Sequence, residues 1–389
     1  MTKNIHIDEY LYTALHKCAR CGQCTYGTGE AEFTVLCPMY KKGQFFSYSA
    51  GGLAQIAQAL YEGKLDCSES LRDIVFHCTT CGVCEVSCGI IANHVDVIGL
   101  IRKELRDLDG AEALKTVVED IIERKNPYGK RRETRNDWIA KDREVKRNEQ
   151  AKILYFVGCV SAYDQKQAAI SFANILDKAG VPFSVSDDEW CCGGPLYHSG
   201  YKDEAIRFAR HNVEMIEEMG VEKVVTSCPT CAMVLREYYP TWLKRELPFT
   251  VLHATEFLEE LVDAGKLELG EVAKPTSVIY HDPCHLGRGL GVFDPPRNLL
   301  KNVGGVSLHE FFLSKENSHC CGGGGMVPVA NQPFSNEVAT ERIEQISDDE
   351  IEMIVSACPN CKKTLRLASR KMKSSLKVVD IVELIDACT

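Results

Sequence analysis

Apolar residues recur along this chain at two spacings, and each spacing predicts a different kind of element. Between residues 53 and 61, and again between 98 and 105, they fall every three or four positions, which is the spacing of one buried helix face. Beyond residue 150, short apolar runs alternate with such helical stripes instead. We therefore expect a helical amino-terminal part followed by a region that mixes strands with helices.

Matching apolar runs predict the strands of this mixed region. KILYFVGC and SVIYHDPC each read as a short buried strand that ends at a cysteine, and VEKVVTSCPTC and EIEMIVSACPNC each end at a Cys-Pro-x-Cys sequence. Helical stripes lie between them, such as residues 172–179 before Gly180 and residues 206–216 before Gly220. TVLHATEFLEELV and LKVVDIVELID predict a last strand and helix in each half. The pattern predicts two repeated α/β units with parallel sheets.

Length and cysteine distribution divide the chain at similar places. The 389 residues are enough for two or three domains, and no cysteine occurs between Cys88 and Cys159. We predict an α+β/α/β multidomain protein with an amino-terminal domain over 1–108, a linker over 109–150, and repeated units over 151–270 and 271–389. The Pro, Gly and charged residues at 125–138 favour an exposed connector that presses Trp138 onto either neighbour.

Composition argues against several classes of protein. The hydrophobic fraction of 45% and the charged fraction of 26% are ordinary for soluble proteins, and no apolar run approaches the ~18 residues of a membrane span. The amino terminus lacks a secretory signal, so we expect a cytoplasmic protein that reaches a membrane only through a partner. The formal charge of −10 argues against nucleic-acid binding. Twenty cysteines are too many for a reduced compartment unless something binds them, and metal is the best account.

Two C-x2-C-x2-C runs in the first domain have the spacing of ligands to iron–sulfur cubes. CARCGQC and CTTCGVC each offer three thiols on one loop, and a more distant cysteine follows each run. In two-cluster ferredoxins that fourth cysteine binds the neighbouring cube. The predicted [4Fe–4S] sites are therefore Cys18, Cys21, Cys24 with Cys88, and Cys78, Cys81, Cys84 with Cys37. Gly89 departs from the pattern, which has Pro there, and zinc is the weaker alternative because its sites use pairs of cysteines.

The second half of the chain repeats five cysteines in the same order. Each unit has a lone cysteine, then an adjacent pair followed by glycines, then Cys-Pro-x-Cys. Neighbouring side chains of a strand point to opposite faces. Adjacent thiols can therefore bind one cluster only where glycine lets the backbone bend. The proline suits a first helical turn, whose free N–H groups stabilise thiolates. A redox dithiol, a vicinal disulfide and a zinc-stabilised scaffold are alternatives, but they explain the repeat less well.

This layout resembles the CCG-domain iron–sulfur proteins of the heterodisulfide reductase D type, or the B and C types fused. More distant similarity is to iron–sulfur subunits of anaerobic glycerol-3-phosphate and lactate oxidation and of class II benzoyl-CoA reductase complexes. The resemblance covers nearly the whole chain and implies one noncubane [4Fe–4S] cluster on five cysteines in each unit. The implied ligands are Cys159, Cys191, Cys192, Cys228 and Cys231 in the first unit and Cys284, Cys320, Cys321, Cys358 and Cys361 in the second. Cys67 and Cys388 are left as bystanders.

The same resemblance implies a function. Electrons would enter through two cubane [4Fe–4S] clusters, and the two noncubane clusters would reduce or form a disulfide that lies between them. The alternative is a non-catalytic electron-transfer subunit of a larger quinone-linked, flavin-based or benzoyl-CoA reductase complex. Because the chain carries no G-x-G-x-x-G nucleotide fingerprint, we expect its electrons to come from a redox partner such as a flavoprotein or a cytochrome.

Three histidines distinguish the second unit from the first. His281 and His285 flank Cys284, and His319 precedes the adjacent pair, where the first unit has Phe, Val and Trp. His285 is a candidate proton donor to a leaving thiolate. The equal alternative is that its ring only makes a hydrogen bond that orients its loop. The run of four glycines in this unit predicts more open space beside its cluster. We therefore expect any chemistry to centre on the second unit.

Overall fold

The chain folds into a helical amino-terminal module followed by two α/β units. A computed structural model describes residues 9–31, 33–90, 93–108, 110–141, 143–149, 151–348 and 350–389. The α-helices of the module are Glu9–Lys17, Pro38–Gly43, Ala50–Tyr61, Glu69–Val75, Val83–Ser87 and His94–Leu105. The two predicted helical stripes lie on Ala50–Tyr61 and His94–Leu105, which pack against each other in one apolar core. Within the described ranges, no helix is long and apolar enough to cross a membrane.

The first α/β unit is built on a parallel sheet of five short strands. In chain order they are β1 (Lys146–Arg147), β2 (Ile153–Tyr155), β3 (Ser184–Val185), β4 (Lys223–Thr226) and β5 (Thr250–His253), and their order in the sheet is β1-β3-β2-β4-β5. The α-helices of this unit are Cys159–Tyr163, Lys166–Lys178, Gly194–His198, Lys202–Glu218, Pro229–Met233, Tyr239–Leu243 and Ala254–Asp263. A π-helical turn, Val234–Tyr238, interrupts the helix that follows the Cys-Pro-x-Cys sequence.

The second unit repeats this arrangement with four strands. They are β6 (Glu271–His281), β7 (Gly304–Glu310), β8 (Met353–Ser356) and β9 (Lys377–Asp380), paired in parallel in the order β7-β6-β8-β9. The α-helices are Cys284–Leu290, Asp294–Asn302, Val327–Ala330, Gln332–Glu344, Pro359–Lys371 and Ile381–Asp386. The predicted fold class is confirmed, because both sheets are parallel and β2, β4 and β5 recur as β6, β8 and β9.

The two units share one core because they exchange helix contacts. The last helix of the second unit, Ile381–Asp386, packs against Lys166–Lys178 of the first unit. Asn174 Nδ2 donates to Asp386 Oδ2 at 2.9 Å across this contact. In the reciprocal contact, Ala254–Asp263 packs against Asp294–Asn302, and one apolar cluster runs through both units. Neither sheet is therefore buried by its own unit alone.

The described residues of the predicted linker, 110–141 and 143–149, form regular elements. Glu112–Arg124 is a helix, and β1 joins the edge of the first sheet. Trp138 is only 3% exposed and meets Tyr155 edge to face, with ring centroids 5.9 Å apart. The segment therefore packs on the first unit.

Candidate metal centres

Both cysteine runs of the amino-terminal module fold into the same loop. The residues before and after the second cysteine adopt positive φ in each run, at Arg20 (58°) and Gly22 (80°) and at Thr80 (52°) and Gly82 (73°). Two left-handed residues in so short a span turn the chain around a point. The three thiols of each run therefore face a common centre.

The fourth cysteine of each site comes from the other run. Burial, together with the nearby Cys88, Cys18 and Cys21, raises the pKa of the Cys24 thiol. For Cys37, burial and then Cys81 raise the pKa of the thiol. We name the two groups the first module set, Cys18, Cys21, Cys24 and Cys88, and the second module set, Cys37, Cys78, Cys81 and Cys84. Cys21 of the first module set is exposed, whereas Cys81 and Cys84 of the second are buried.

The structure brings together all five cysteines of the first unit, which we name the first five-cysteine set. Contact with Cys191 and burial raise the pKa of the Cys159 thiol. Contacts with Cys191 and Cys231 lower the pKa of Cys192 to about 6, and Cys228 completes the group through its contact with Cys231. All five side chains are largely buried, so five sulfur atoms converge at one location.

The second unit gathers its own five cysteines in the same way, as the second five-cysteine set. Cys321 Sγ lies 3.2 Å from Cys361 Sγ. Cys320 contacts Cys284, which lowers the pKa of the Cys320 thiol, and Cys358 contacts Cys361. His281 joins this group, since one of its ring nitrogens and the thiols of Cys321 and Cys361 all lie within 4.8 Å of one another.

Glycine makes the bend that lets adjacent cysteines face one centre. Gly193 and Gly322, each directly after the pair, have φ values of 85° and 81°. These conformations are strained for any residue with a side chain. The bend also turns backbone amides towards sulfur, because Gly322 N donates to Cys320 Sγ at 3.3 Å and Gly323 N to Cys321 Sγ at 3.4 Å. Such donors stabilise thiolates and negatively charged clusters.

The amino-terminal module meets the second unit at sulfur atoms. The thiols of Cys81 and Cys320 are in contact, and this contact and burial raise the pKa of Cys81. Cys78 is also close to Cys320, whose charge raises the pKa of the Cys78 thiol. No thiol of the first five-cysteine set is among the groups that influence these two most strongly. The second module set is therefore coupled to the second unit.

The two five-cysteine sets have different charges around them. Next to the first, Arg135 NH2 donates to Cys159 Sγ at 3.5 Å, and Arg135 is paired with buried Glu189 at 3.0 Å. Next to the second lie Arg288 and Arg342, whose hydrogen bonds go to neutral groups. The cation beside the first set is ion-paired, whereas the two guanidinium groups beside the second set have no ion-pair partner among the described residues.

His285, the predicted proton donor, lies where all three parts of the chain meet. Its Nε2 is 3.2 Å from the carbonyl oxygen of Thr80, and its Nδ1 is 2.9 Å from the hydroxyl of Thr230. The carbonyl can only accept, so Nε2 donates to it and Nδ1 accepts from Thr230. Burial lowers the pKa of His285 to about 4, which keeps the ring neutral at pH 7.

Other histidines lie nearby, including one that sequence reasoning missed. His198 is 5% exposed, and its ring centroid is 5.6 Å from that of His285. The signal was its position on the helix directly after the adjacent cysteines of the first unit, Gly194–His198. Burial lowers the pKa of His281 and of His319 to about 3, so that both rings are neutral.

A cavity of about 220 Å³, open to solvent, lies between the two units. All five cysteines of the first set line it, whereas the second unit contributes the glycine loop 323–325 and, farther round, Asn360 and Lys363. Tyr128, from the predicted linker, and His285 complete the polar part of the wall. The open space of this cavity lies beside the first unit's thiols. A further cavity is lined by Cys81, Cys284 and His285, so the expectation of open space beside the second unit's cluster stays a prediction.

The donor atoms fit iron–sulfur clusters. No cysteine of the described ranges is in a disulfide, and the two module sets and two five-cysteine sets are compact groups of sulfur. Thiolate sulfur with backbone N–H donors is the environment that iron–sulfur clusters use.

Family models match the three parts of the chain. A 4Fe-4S dicluster domain matches residues 14–90, and a cysteine-rich domain, CCG, matches residues 153–236 and again 278–366. A hypothetical protein from Helicobacter pylori has a similar fold, with a TM-score of 0.54 at 10% identity. The similarity covers 98% of this chain and 73% of that protein. That likeness concerns the fold alone.

Curated relatives extend the match to the full length. The D-type subunit of dihydromethanophenazine:CoB--CoM heterodisulfide reductase from Methanosarcina barkeri is 34% identical over 99% of this chain and 96% of its own. EtfAB:quinone oxidoreductase from Syntrophomonas wolfei is 28% identical over 95% of this chain and 58% of its own. With its dicluster module and two CCG repeats, the chain belongs to the D-type heterodisulfide reductase family of iron–sulfur oxidoreductases.

Proposed function

We propose that this chain reduces a disulfide, or forms one in the reverse direction, in the cavity between its two units. The observation that carries the proposal is the wall of that cavity, where all five thiols of the first five-cysteine set face the glycine loop of the second unit. In reduction, the sulfur–sulfur bond breaks, two electrons and two protons are taken up, and two thiols form. When bound, the iron–sulfur clusters would supply those electrons one at a time.

The proposed ligands are the four sets of cysteines. The two module sets would each hold a cubane [4Fe–4S] cluster, and the two five-cysteine sets would each hold a noncubane [4Fe–4S] cluster. Support comes from the convergence of the thiols and from the full-length similarity to the D-type component of a heterodisulfide reductase. Cys67 and Cys388 belong to none of the sets.

The contacts between sets indicate an order of electron transfer. Cys21 makes the first module set accessible from solvent, and the second module set reaches the second unit through the contact of Cys81 with Cys320. Electrons would therefore enter at the first module set and arrive at the second unit, while the substrate would bind beside the first unit. The proton-donor role of His285 stays a prediction, and its two hydrogen bonds favour the alternative that it orients the loops of Thr80 and Thr230.

A partner must deliver the electrons, because the chain carries no nucleotide fingerprint. A flavoprotein or a cytochrome subunit would serve, and the family similarity supports a multi-subunit reductase. A cytoplasmic location, with membrane association only through such a partner, is the corresponding proposal.

Iron analysis and a substrate test together decide the proposal. Anaerobically purified protein should contain about sixteen iron and about sixteen sulfide per chain if four [4Fe–4S] clusters are bound. Addition of a mixed disulfide of two different thiols to the oxidised protein should then produce a new paramagnetic signal. Substitution Cys192→Ser should abolish that signal and leave the cubane signals intact. Full iron content with no response to any disulfide would refute the enzyme proposal.

A second candidate is an electron-transfer subunit that converts no substrate itself. The similarity to EtfAB:quinone oxidoreductase favours it, since that name describes electron transfer between a flavoprotein and quinone. Under this alternative, the reduced protein should lose its electrons rapidly to a quinone-linked or flavin partner and should not react with disulfides. Stopped-flow reoxidation by a quinone and by a disulfide, measured side by side, separates the two candidates.

A further inference from the structure

We propose that Arg288 and Arg342 are positioning residues that give the second five-cysteine set a higher reduction potential than the first. An electron arriving from the amino-terminal module would then reside in the second unit before it is used. This inference rests on the proposed function, because it requires both five-cysteine sets to hold clusters.

Arg288 lies between the second module set and the second unit. It is on the helix that begins at Cys284, one turn after that cysteine. Its Nε donates to the carbonyl oxygen of Cys81 at 2.8 Å, and its NH1 donates to that of Ser318, two residues before Cys320, at 2.7 Å. Burial opposes its charge, but the thiols of Cys81, Cys284 and Cys320 raise the pKa of Arg288 above its ordinary value. Arg288 is therefore a cation beside the sulfur atoms through which the amino-terminal module contacts the second unit.

Arg342 also lies beside the second five-cysteine set and, like Arg288, donates to Ser318. It is 1% exposed, its Nε donates to His281 Nδ1 at 3.2 Å, and its NH2 donates to Ser318 Oγ at 3.2 Å. The guanidinium lies 3.5 Å from the centroid of the Phe311 ring. Because Nδ1 accepts, the neutral imidazole of His281 carries its proton on Nε2, beside Cys321 and the rest of the set. Burial lowers the pKa of Arg342 to about 9, so the side chain is still a cation at pH 7.

Among the described residues, neither guanidinium forms an ion pair with an acid. Among the residues that the structure describes, the hydrogen-bond acceptors of Arg288 are carbonyl oxygens. Those of Arg342 are a histidine, a serine, a glutamine and a carbonyl oxygen. Asp282 is the acid whose charge acts most strongly on Arg342, but its carboxylate is bound by Arg297 at 2.8 and 2.9 Å, and Arg297 also binds Glu310. Lys362, beside Cys361, is paired with Glu383.

The first five-cysteine set is different because its nearby cation is compensated. Arg135 and Glu189 form an ion pair whose side chains are 2% and 1% exposed. The carboxylate also accepts from the backbone N of Val157 at 2.9 Å and of Gly158 at 3.0 Å, directly before Cys159. Adding an electron makes a cluster more negative, so an uncompensated cation favours the reduced form, and a neutral pair has little effect. The difference in potential between the sets follows from this difference in charge.

Redox titration of the anaerobically purified, full-length protein, monitored by electron paramagnetic resonance, tests the proposal. Cys192→Ser and Cys321→Ser assign the signals, because each removes one five-cysteine set. The wild type should show the second set reduced at the higher potential. Arg288→Gln and Arg342→Gln should each lower the potential of the second set and leave that of the first set in place. The charge-conserving Arg288→Lys and Arg342→Lys should retain the wild-type potential.

The first unit provides an independent measurement. Glu189→Gln leaves Arg135 uncompensated and should raise the potential of the first set, whereas the double variant Arg135→Gln, Glu189→Gln should restore it. Equal potentials in the wild type, equal shifts of both sets in any Gln variant, or a lowered potential in the Lys variants would overturn the inference. An iron content of about eight in the wild type would refute the proposed function as well, whereas full iron with unshifted potentials refutes only this inference.

Discussion

Replacing Arg102 with methionine should loosen the amino-terminal module from both α/β units. The side chain is fully buried on the helix His94–Leu105. Its guanidinium donates to four carbonyl oxygens at 2.7 to 3.0 Å, two from the module, one from the first unit and one from the second. The acceptors are the carbonyl oxygens of Val75, Cys78, His198 and Gly325. One side chain therefore joins all three parts of the chain.

The magnitude follows from these bonds and from the cost of burying the charge. A hydrogen bond to a charged group contributes about 1.5–3 kcal/mol, so four bonds suggest roughly 6–12 kcal/mol in total. Methionine also removes the desolvation cost of the guanidinium, whose Nε has no hydrogen-bond partner among the described residues. Removing one partner from a buried charged arrangement usually costs about 3–5 kcal/mol, and we expect a loss of that size. Burial lowers the pKa of Arg102 to about 10, so the charge is present at pH 7.

Arg106→Met is the matched control. Arg106 lies one turn further along, donates to the Gly200 carbonyl at 2.8 Å, and has a side chain that is 26% exposed. Because this side chain is partly exposed and makes one such bond, we expect the control to lose about 1.5 kcal/mol, the low end of the range. Anaerobic urea unfolding, followed by cluster absorbance and by limited proteolysis between the module and the first unit, measures both variants. Equal losses for Arg102→Met and Arg106→Met would refute the idea that Arg102 holds the three parts together.

Further substitutions test separate parts of the structure. Gly325→Ala should lower the free energy of unfolding, measured anaerobically, by about 2–5 kcal/mol, because φ is 60° and a Cβ would lie 2.5 Å from a carbonyl oxygen of the module. Gly220→Ala is the control: φ is 64° and a Cβ would have nothing within 4 Å, so the loss should be only about 1–2 kcal/mol. Burial raises the folded-state pKa of Asp380 from 3.8 to about 8. This carboxyl therefore contributes stability below pH 4 that is lost as the pH rises to 8, by at most about 1.4 kcal/mol per pH unit. Asp380→Asn should remove this pH dependence from urea unfolding measured between about pH 4 and 8, and an unchanged slope would contradict the assignment. Cys67→Ser should keep the full iron content, whereas Cys84→Ser should lose about four iron atoms per chain; equal iron in the two variants would remove Cys84 from the proposed ligands.

The local part of the fold could be predicted because it depends on short-range patterns. Each apolar run that ends at a cysteine is a strand, β2 or β6 for the lone cysteines and β4 or β8 for the Cys-Pro-x-Cys sequences. The prolines open helices at Pro229 and Pro359, where N–H groups are free to face sulfur. Spacing alone therefore located the thiols and the elements that carry them.

Contacts between distant segments could not be predicted in the same way. The run of glycines 322–325 predicted open space beside the second unit's cluster. In the structure, residues 323–325 line the cavity, and Gly324 and Gly325 also let the loop of the module approach, since a Cβ at Gly325 would collide with the carbonyl of Cys78. A glycine has the same sequence signature whether a ligand or another backbone comes close to it. His198 was missed for a related reason, because only the docking of Arg102 and His285 makes its position meaningful.

The two repeats carry the same five cysteines but have different neighbours, and this difference gives the two units different surroundings for electrons and substrate. The second unit meets the module at Cys81 and Cys320, and positive charge surrounds it there. The first unit lines the cavity, and its nearby cation, Arg135, is ion-paired with Glu189. A symmetric pair would give an electron no preferred position and a substrate no preferred side. If both five-cysteine sets hold clusters, the asymmetry would separate the point of electron arrival from the proposed substrate site, and a disulfide in the cavity would meet the set whose nearby cation is ion-paired and whose electron is the stronger reductant.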